Sequence, residues 1–293
     1  MKKVIVIQGV TASGKTDLAV ALAKKFNLKV VNADSTQVYK GLDIGTAKIT
    51  EAEMQGIEHF LLSFKNYSPA TKYSVFEFQQ AVRALIEKST KPLIIVGGSG
   101  YYLKSALYSL NFKDSKDLKN TDIPISEKIS YLKENGILID FQNTRKVENY
   151  FESNSLDFAN FKQSTPIYDM LVIETELSRE KQAEVFKTRI EMQFRSGFLD
   201  EARKLRSNGL KECDILGYRE ILMYLDGLAS LTETKQNILK HTLDLAKKQK
   251  TWFKNQTQPD LVLECSDEHK LTKAEKAVSE FLGKWQKSYL DRL

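Results

Sequence analysis

The sequence predicts an α/β protein: a parallel sheet flanked by helices, with a small inserted subdomain and a helical C-terminal portion. Three observations predict it. Short β-branched runs alternate with helically spaced apolar segments through the first third of the chain. One run, residues 92–96, is apolar on both faces and lies between helices, as a strand inside a parallel sheet must. After a long polar stretch, strand character returns at residues 168–175.

Taken in order, residues 4–8 are a short apolar run and predict the first strand. Leu18, Ala19, Leu22, Ala23 and Phe26 then recur at helical spacing, which predicts a helix over 17–26. A second strand at 29–31 runs into Asn32-Ala33-Asp34. Ser74 and Glu77 form a capping box that opens a helix continuing through Val82, Leu85 and Ile86. The strand at 92–96 stops at Gly97-Gly98. Residues 111–165 are rich in Lys, Asn and Ser, with helical patches only at 125–133 and 145–152, and predict an insertion carried at the edge of the sheet. Beyond the returning strand, helices are expected at 179–195, 199–207, 218–225 and 232–254, a short strand at 261–264 and an amphipathic closing helix at 273–289. The expected division is therefore a core over 1–110, an inserted subdomain over 111–165, and a return to the core with C-terminal helices over 166–293.

Composition excludes several classes. With 293 residues, 42% of them hydrophobic and 28% charged, the chain can bury a core and is not a disordered polymer. Mean hydropathy is −0.37, and no apolar run approaches the roughly 20 residues of a membrane span. The opening MKKVIVIQGV has too short an apolar stretch, and no cleavage pattern, for a signal peptide. Cys213 and Cys265 are too few for a disulfide framework or a zinc cluster and are expected as reduced thiols. A cytoplasmic protein is the expectation, with no membrane partner and no obligate protein partner. The net charge of +6 permits an anionic partner, and the excess concentrates near residue 250.

Gly9-Val10-Thr11-Ala12-Ser13-Gly14-Lys15-Thr16 fits G-x-x-x-x-G-K-[ST], directly after a strand and directly before a helix. The loop is thereby of the P-loop type: Gly9, Thr11, Ala12, Ser13 and Gly14 wrap their backbone around a phosphate, and the helix end adds its positive pole. Lys15 supplies a point charge to phosphate oxygens, and Thr16 can ligate Mg²⁺ or hydrogen-bond a phosphate. A nucleotide-hydrolysing relative of this motif would place an acid after the strand at 92–96, yet Gly97-Gly98-Ser99-Gly100 stands there. The glycines mark either a tight strand-to-helix turn or a second close approach to a ligand. The acid stands instead after the second strand, at Asp34. In a doubly wound sheet that strand end opens on the same crevice as the phosphate loop, so Asp34 is placed to take a proton from a nucleophile; a capped loop turn is its structural alternative.

Further along, Lys240, Lys247, Lys248, Lys250 and Lys254 crowd one helical stretch against a single acid, Asp244. Such a run is either a solvated helix face or, beside Gly217-Tyr218-Arg219, a track for RNA phosphates. Trp252 and Phe253 are expected as core anchors. His59, His241 and His269 lack metal-ligand spacing.

Several blocks together resemble one family. Residues 34–48 (DSTQVYKGLDIGTAK) follow a GxTASGKT loop. Tyr73-Ser74-Val75, Val96-Gly97-Gly98-Ser99-Gly100-Tyr101-Tyr102, Leu216-Gly217-Tyr218-Arg219-Glu220 and residues 246–253 (AKKQKTWF) come after them in the same order. The chain is similar in these blocks to the tRNA dimethylallyltransferases. The resemblance implies transfer of a dimethylallyl group from dimethylallyl diphosphate to the exocyclic amine of the adenine 3′ of the anticodon. The phosphate loop would hold the diphosphate with Mg²⁺, and Asp34 would accept from the amine. Arg189, which aligns with an arginine of the family that contacts the diphosphate, would act with Asp34 and Thr16 as the catalytic set. The tRNA anticodon stem-loop would meet Asp34, Ser35, Thr36, Gln37, Ser99, Arg145, Lys146, Gly217, Tyr218, Arg219, Lys247 and Lys248, with the insertion facing it. The sequence departs from the family at Leu243, Phe60 and Asn149, where arginine, histidine and arginine are usual. A small-molecule kinase using ATP is the alternative, and would need an arginine-bearing lid and an adenine pocket. A non-catalytic nucleotide- or RNA-binding protein is disfavoured by the intact Lys15, Thr16 and Asp34.

Overall fold

The computed structural model describes residues 1–69, 71–110, 124–134, 141–145, 147–148 and 164–290. Six strands form one parallel sheet: β1 (Lys3–Gly9), β2 (Lys29–Asn32), β3 (His59–Phe60), β4 (Leu93–Gly97), β5 (Asp169–Glu176) and β6 (Leu261–Glu264), in the order β3-β2-β4-β1-β5-β6. The sequence predicted five of these. It missed β3 because two residues carry no periodicity, and only the pairings Val30 with His59 and Val31 with Phe60 make them a strand.

β1 lies between β4 and β5, in register Val4 with Leu93 and with Met170, so both its faces must be apolar. Its alternation sorts the core. Val4 and Val6 join Val31, Ile95 and Val172 beneath Phe78, Val82 and Ile86 of α3 (Val75–Lys88) and Leu103 and Leu107 of α4 (Gly100–Leu107). Ile5 and Ile7 face the other way, with Val30, Ile94 and Ile173, under Leu18 and Leu22 of α1 (Lys15–Phe26) and Ala274 and Val278 of the last helix. α3 begins at the predicted capping box: Ser74 Oγ accepts from Glu77 N and Glu77 Oε2 from Ser74 N.

A one-turn helix, α2 (Glu51–Met54), leads into β3. Within the polar segment, α5 (Ile125–Glu134) matches the expected patch, and Lys128 pairs with Glu148 at 2.6 Å. Arg145 is exposed; the rest of the patch expected at 145–152, including Lys146 and Asn149, lies almost wholly outside the described residues. The two ends of the excursion meet, for Ser109 N donates to Thr165 O and Ile167 N to Leu107 O.

The C-terminal portion is helical as expected: α6 (Arg179–Arg195), α7 (Phe198–Ser207), α8 (Tyr218–Leu225), α9 (Leu231–Gln256) and α10 (Lys270–Leu290). Phe186 of α6 and Ala246 of α9 bury against Val10 and Leu177, which docks both helices over the loop leaving β1. Phe253 is buried and Trp252 half-buried, as core anchors.

Candidate active site

The loop between β1 and α1 is held open by its own geometry. Gly9 has φ 144°, and a Cβ there would lie 2.2 Å from Thr175 O, so the residue must be glycine. Ala12 and Gly14 also take positive φ, which turns successive backbone N–H groups towards the mouth as an anion-binding nest. Ser13 Oγ points inward to Val10 O (2.8 Å) and Thr175 Oγ1 (2.5 Å), so this side chain shapes the loop and only its backbone faces outward. Lys15 Nζ folds across to Val10 O at 2.6 Å. Burial lowers the Lys15 pKa to about 8, opposed by Asp34 and assisted by Arg189. Thr16 is exposed at the mouth.

Asp34 faces this loop from the end of β2. Its Oδ1 accepts from Thr36 N (2.9 Å) and Thr36 Oγ1 (2.6 Å), an Asx turn that locks the carboxylate. The Asx-turn reading of Asp34 holds, and the same residue lines the cavity beside the loop. The third member, Arg189, arrives from α6. Its Nη1 donates to Thr11 Oγ1 at 3.1 Å, and its pKa is lowered by burial and raised by Asp34. A cavity of about 560 Å³ is lined by residues from Thr11 through Asp17, with Asp34, Gln37 and Arg189. A second, of about 100 Å³, joins Thr11, Asp34 and Arg189 to the apolar side chains of Phe186, Ile190 and Ile238.

The other expected positions divide. Ser35 N donates to Ser99 Oγ at 3.2 Å, so Ser99 tethers the Asp34 turn and does not line either of these cavities. Gln37 spends its amide on Thr46 O and Ala47 O (3.1 and 3.4 Å). Gly217 lines the smaller cavity. Tyr218 is 1% exposed, with its hydroxyl donating to Glu201 and accepting from Gly45 N at 3.2 Å, so its ring is a core element. Burial beside Glu201 drives its pKa well above the usual phenol value. Arg219 turns to Glu220 (2.5 and 2.9 Å) and His241 Nδ1 (3.1 Å). Lys247 and Lys248 are exposed, as are Lys240 and Lys254, while Lys250 lies 3.9 Å from Glu176.

The glycines after β4 make the tight strand-to-helix turn expected of them, since β4 ends at Gly97 and α4 begins at Gly100, and Gly97 and Gly98 also line the larger cavity. A Cβ on Gly97 would meet Ala33 O at 2.2 Å, one on Gly98 would meet Gln249 Nε2 at 2.5 Å, and one on Gly100 would meet Trp252 at 2.2 Å. The close approach is by the protein's own strand β2 and helix α9. Sequence reasoning also missed Glu201, which accepts from the N–H groups of Asp43, Ile44 and Gly45 at 2.9–3.2 Å and so holds the loop carrying Thr46 and Ala47 into the cavity. No signal marks it, since the three donors lie 156–158 positions away. Gln249 had one: it is a polar residue on the Ala246–Phe253 inward stripe of α9.

Among the described residues no group of three or more His, Cys, Asp or Glu is placed to hold a metal, and no helix is long and apolar enough to cross a membrane. Cys213 and Cys265 are free thiols. His59 Nδ1 contacts Ile57 O at 2.8 Å, leaving its Nε2 buried without a partner, and burial lowers its pKa.

Comparison with known proteins agrees with this geometry. The sequence model of a family described as IPP transferase matches residues 37–256. The tRNA dimethylallyltransferase of Phytoplasma australiense is 40% identical over 270 residues, covering 89% of this chain and 92% of that one. That of Acholeplasma laidlawii is 39% identical over 289 residues, covering 97% and 100%. The crystal structure of tRNA delta(2)-isopentenylpyrophosphate transferase from Staphylococcus epidermidis superposes with a TM-score of 0.74 at 31% identity, over 97% of this chain and 100% of that one. A eukaryotic dimethylallyltransferase acting on tRNA shares the fold, with a TM-score of 0.76 at 24% identity over 95% of this chain and 78% of that one. Matched over most of its length by the family's pattern and nearly end to end by relatives, the chain belongs to the IPP transferase family.

Proposed function

We propose that the protein transfers a dimethylallyl group from dimethylallyl diphosphate to the exocyclic amine of the adenine 3′ of the anticodon in tRNA, releasing diphosphate. The observation that carries the reading is the convergence of phosphate loop, Arg189 and Asp34 on one cavity. The loop's N–H groups, Lys15 and the Arg189 fork bind the diphosphate and stabilise charge as the carbon–oxygen bond breaks. The bond's electrons leave on diphosphate while the amine nitrogen bonds the same carbon. Asp34, its Oδ1 fixed by Thr36, takes the amine proton on Oδ2. An adenine reaching so deep a site has to leave its stack.

Magnesium fits this donor set. Mg²⁺ commonly takes one or two protein groups with the rest from substrate phosphate and water; the exposed Thr16 hydroxyl at the cavity mouth, with no competing acidic cage among the described residues, suits that mode. When bound there it would neutralise the leaving diphosphate. The exposed lysines Lys240, Lys247, Lys248 and Lys254 on α9, with Arg145, are the surface offered to the tRNA backbone. The kinase reading loses its ground, because relatives aligned over 89% and 97% of the chain are tRNA dimethylallyltransferases.

Incubation with dimethylallyl diphosphate, Mg²⁺ and unmodified tRNA tests the proposal. The RNA should gain one five-carbon unit, at the adenine 3′ of the anticodon. Cleavage of ATP with no isoprenoid consumed would overturn it.

A further inference from the structure

We infer that Gln249, on the long basic helix, is a positioning residue that sets the phosphate loop for its diphosphate. The inference rests on the loop being a diphosphate site. Gln249 Oε1 accepts from Thr11 N at 2.9 Å, and Gln249 Nε2 donates to Gly98 O at 3.0 Å. Only one orientation of the amide satisfies both, since the N–H needs an acceptor and the carbonyl a donor. One side chain therefore ties two backbone segments that leave neighbouring strands, the loop after β1 and the turn after β4.

Two further observations make this a built seat. A Cβ on Gly98 would come within 2.5 Å of the Gln249 amide nitrogen, so the turn is shaped to receive it. One turn further along the helix, Trp252 occupies the space over Gly100 in the same way. Thr11 is thus gripped twice, through its N–H by Gln249 of α9 and through its hydroxyl by Arg189 of α6. The next residues, Ala12 to Thr16, are those whose N–H groups must converge on the phosphate. With Gln249 removed, the Thr11 N–H is left without its partner and Thr11 keeps only its bond to Arg189. The diphosphate must then order the loop itself, which weakens binding. No proton or bond moves at Gln249.

The test is calorimetric binding of inorganic diphosphate with Mg²⁺ to the whole chain, together with the steady-state KM for dimethylallyl diphosphate. Gln249→Met keeps length and volume while removing both hydrogen bonds. Gly98→Ala leaves the helix sequence intact and crowds the amide out of its seat, at a position whose φ is not left-handed. Each variant should weaken diphosphate binding and raise the donor KM by about tenfold, with kcat changed far less. The double variant should be no worse than the single ones, because both break the same tie. A merely structural role would lower the binding stoichiometry or kcat, through a smaller folded fraction, at unchanged Kd and KM. Wild-type affinity in both variants, or full additivity in the double one, overturns the inference. Failure of the wild-type protein to bind diphosphate at all overturns instead the reading of the loop on which it rests.

Discussion

At the scale of single residues, the site assigns unlike tasks to groups of unlike chemistry. Asp34 Oδ1 is held by Thr36, which leaves Oδ2 for the proton acceptance proposed for it. Asp34→Ala should lower kcat by about 10²–10⁴-fold, with tRNA affinity nearly intact, measured by single-turnover transfer beside filter binding; a matching loss of affinity would mark Asp34 as structural. Lys15 carries the pH dependence. Its charged form is disfavoured by burial, so in the free enzyme it gives up its proton as pH rises through about 8. A bound diphosphate favours the charged form. Hence kcat/KM for the donor, which reports the free enzyme, should fall above that pH, while kcat holds to higher pH. A kcat/KM profile flat across the same range would show that Lys15 remains charged throughout.

At the scale of elements, the C-terminal helices bring side chains to the candidate site, of which Arg189 was expected from sequence and Gln249 and Glu201 were not. α6 brings Arg189, α9 brings Gln249, and α7 brings Glu201, which clamps the loop at 43–45. The clamp needs close packing: a Cβ on Gly45 would lie 2.2 Å from the Phe198 ring and 2.5 Å from Tyr218. Gly45→Ala should therefore cost about 1–3 kcal/mol of stability by overpacking, read from the midpoint of chemical denaturation at unchanged slope. An unaltered midpoint would mean that α7 and α8 shift freely and do not define the wall of the cavity. The capping box at Ser74 shows the opposite case, where a local pattern of four residues was enough to place a helix start.

At the scale of the whole molecule, the central sheet holds two apolar layers apart, and the phosphate loop and Asp34 lie at the carboxyl ends of β1 and β2, where an open parallel sheet places its ligands. The long helix α9 spans the two functions proposed for it, with Gln249 towards the phosphate loop and Lys247 and Lys248 towards solvent. Neutralising both lysines should weaken tRNA binding and flatten its dependence on log salt by about 0.9 for each phosphate left without its lysine; an unchanged slope would leave that face merely solvated. Most of the scaffold was legible beforehand, since helix periodicity, capping and the phosphate-loop motif are local signals. The spans 179–195 and 218–225 were read from sequence with the ends they have in the structure. The burial of Tyr218, packed on Phe198 and bonded to Glu201, was not legible in a block read as a candidate RNA contact beside the Lys-rich helix. The turn after β4 was legible in its glycines, but what packs on them was not, because the atoms that exclude a side chain there belong to Ala33 on β2 and to Gln249 and Trp252, some 150 residues on in α9. By itself the sequence determined the parallel core, the anion-binding loop and the acid after the second strand, because each is written in residues a few positions apart. Only the tertiary structure decided which distant amide and carboxylate, those of Gln249 and Glu201, hold those pieces in place, because such contacts are set by the packing of helices against the sheet and leave no spacing to read.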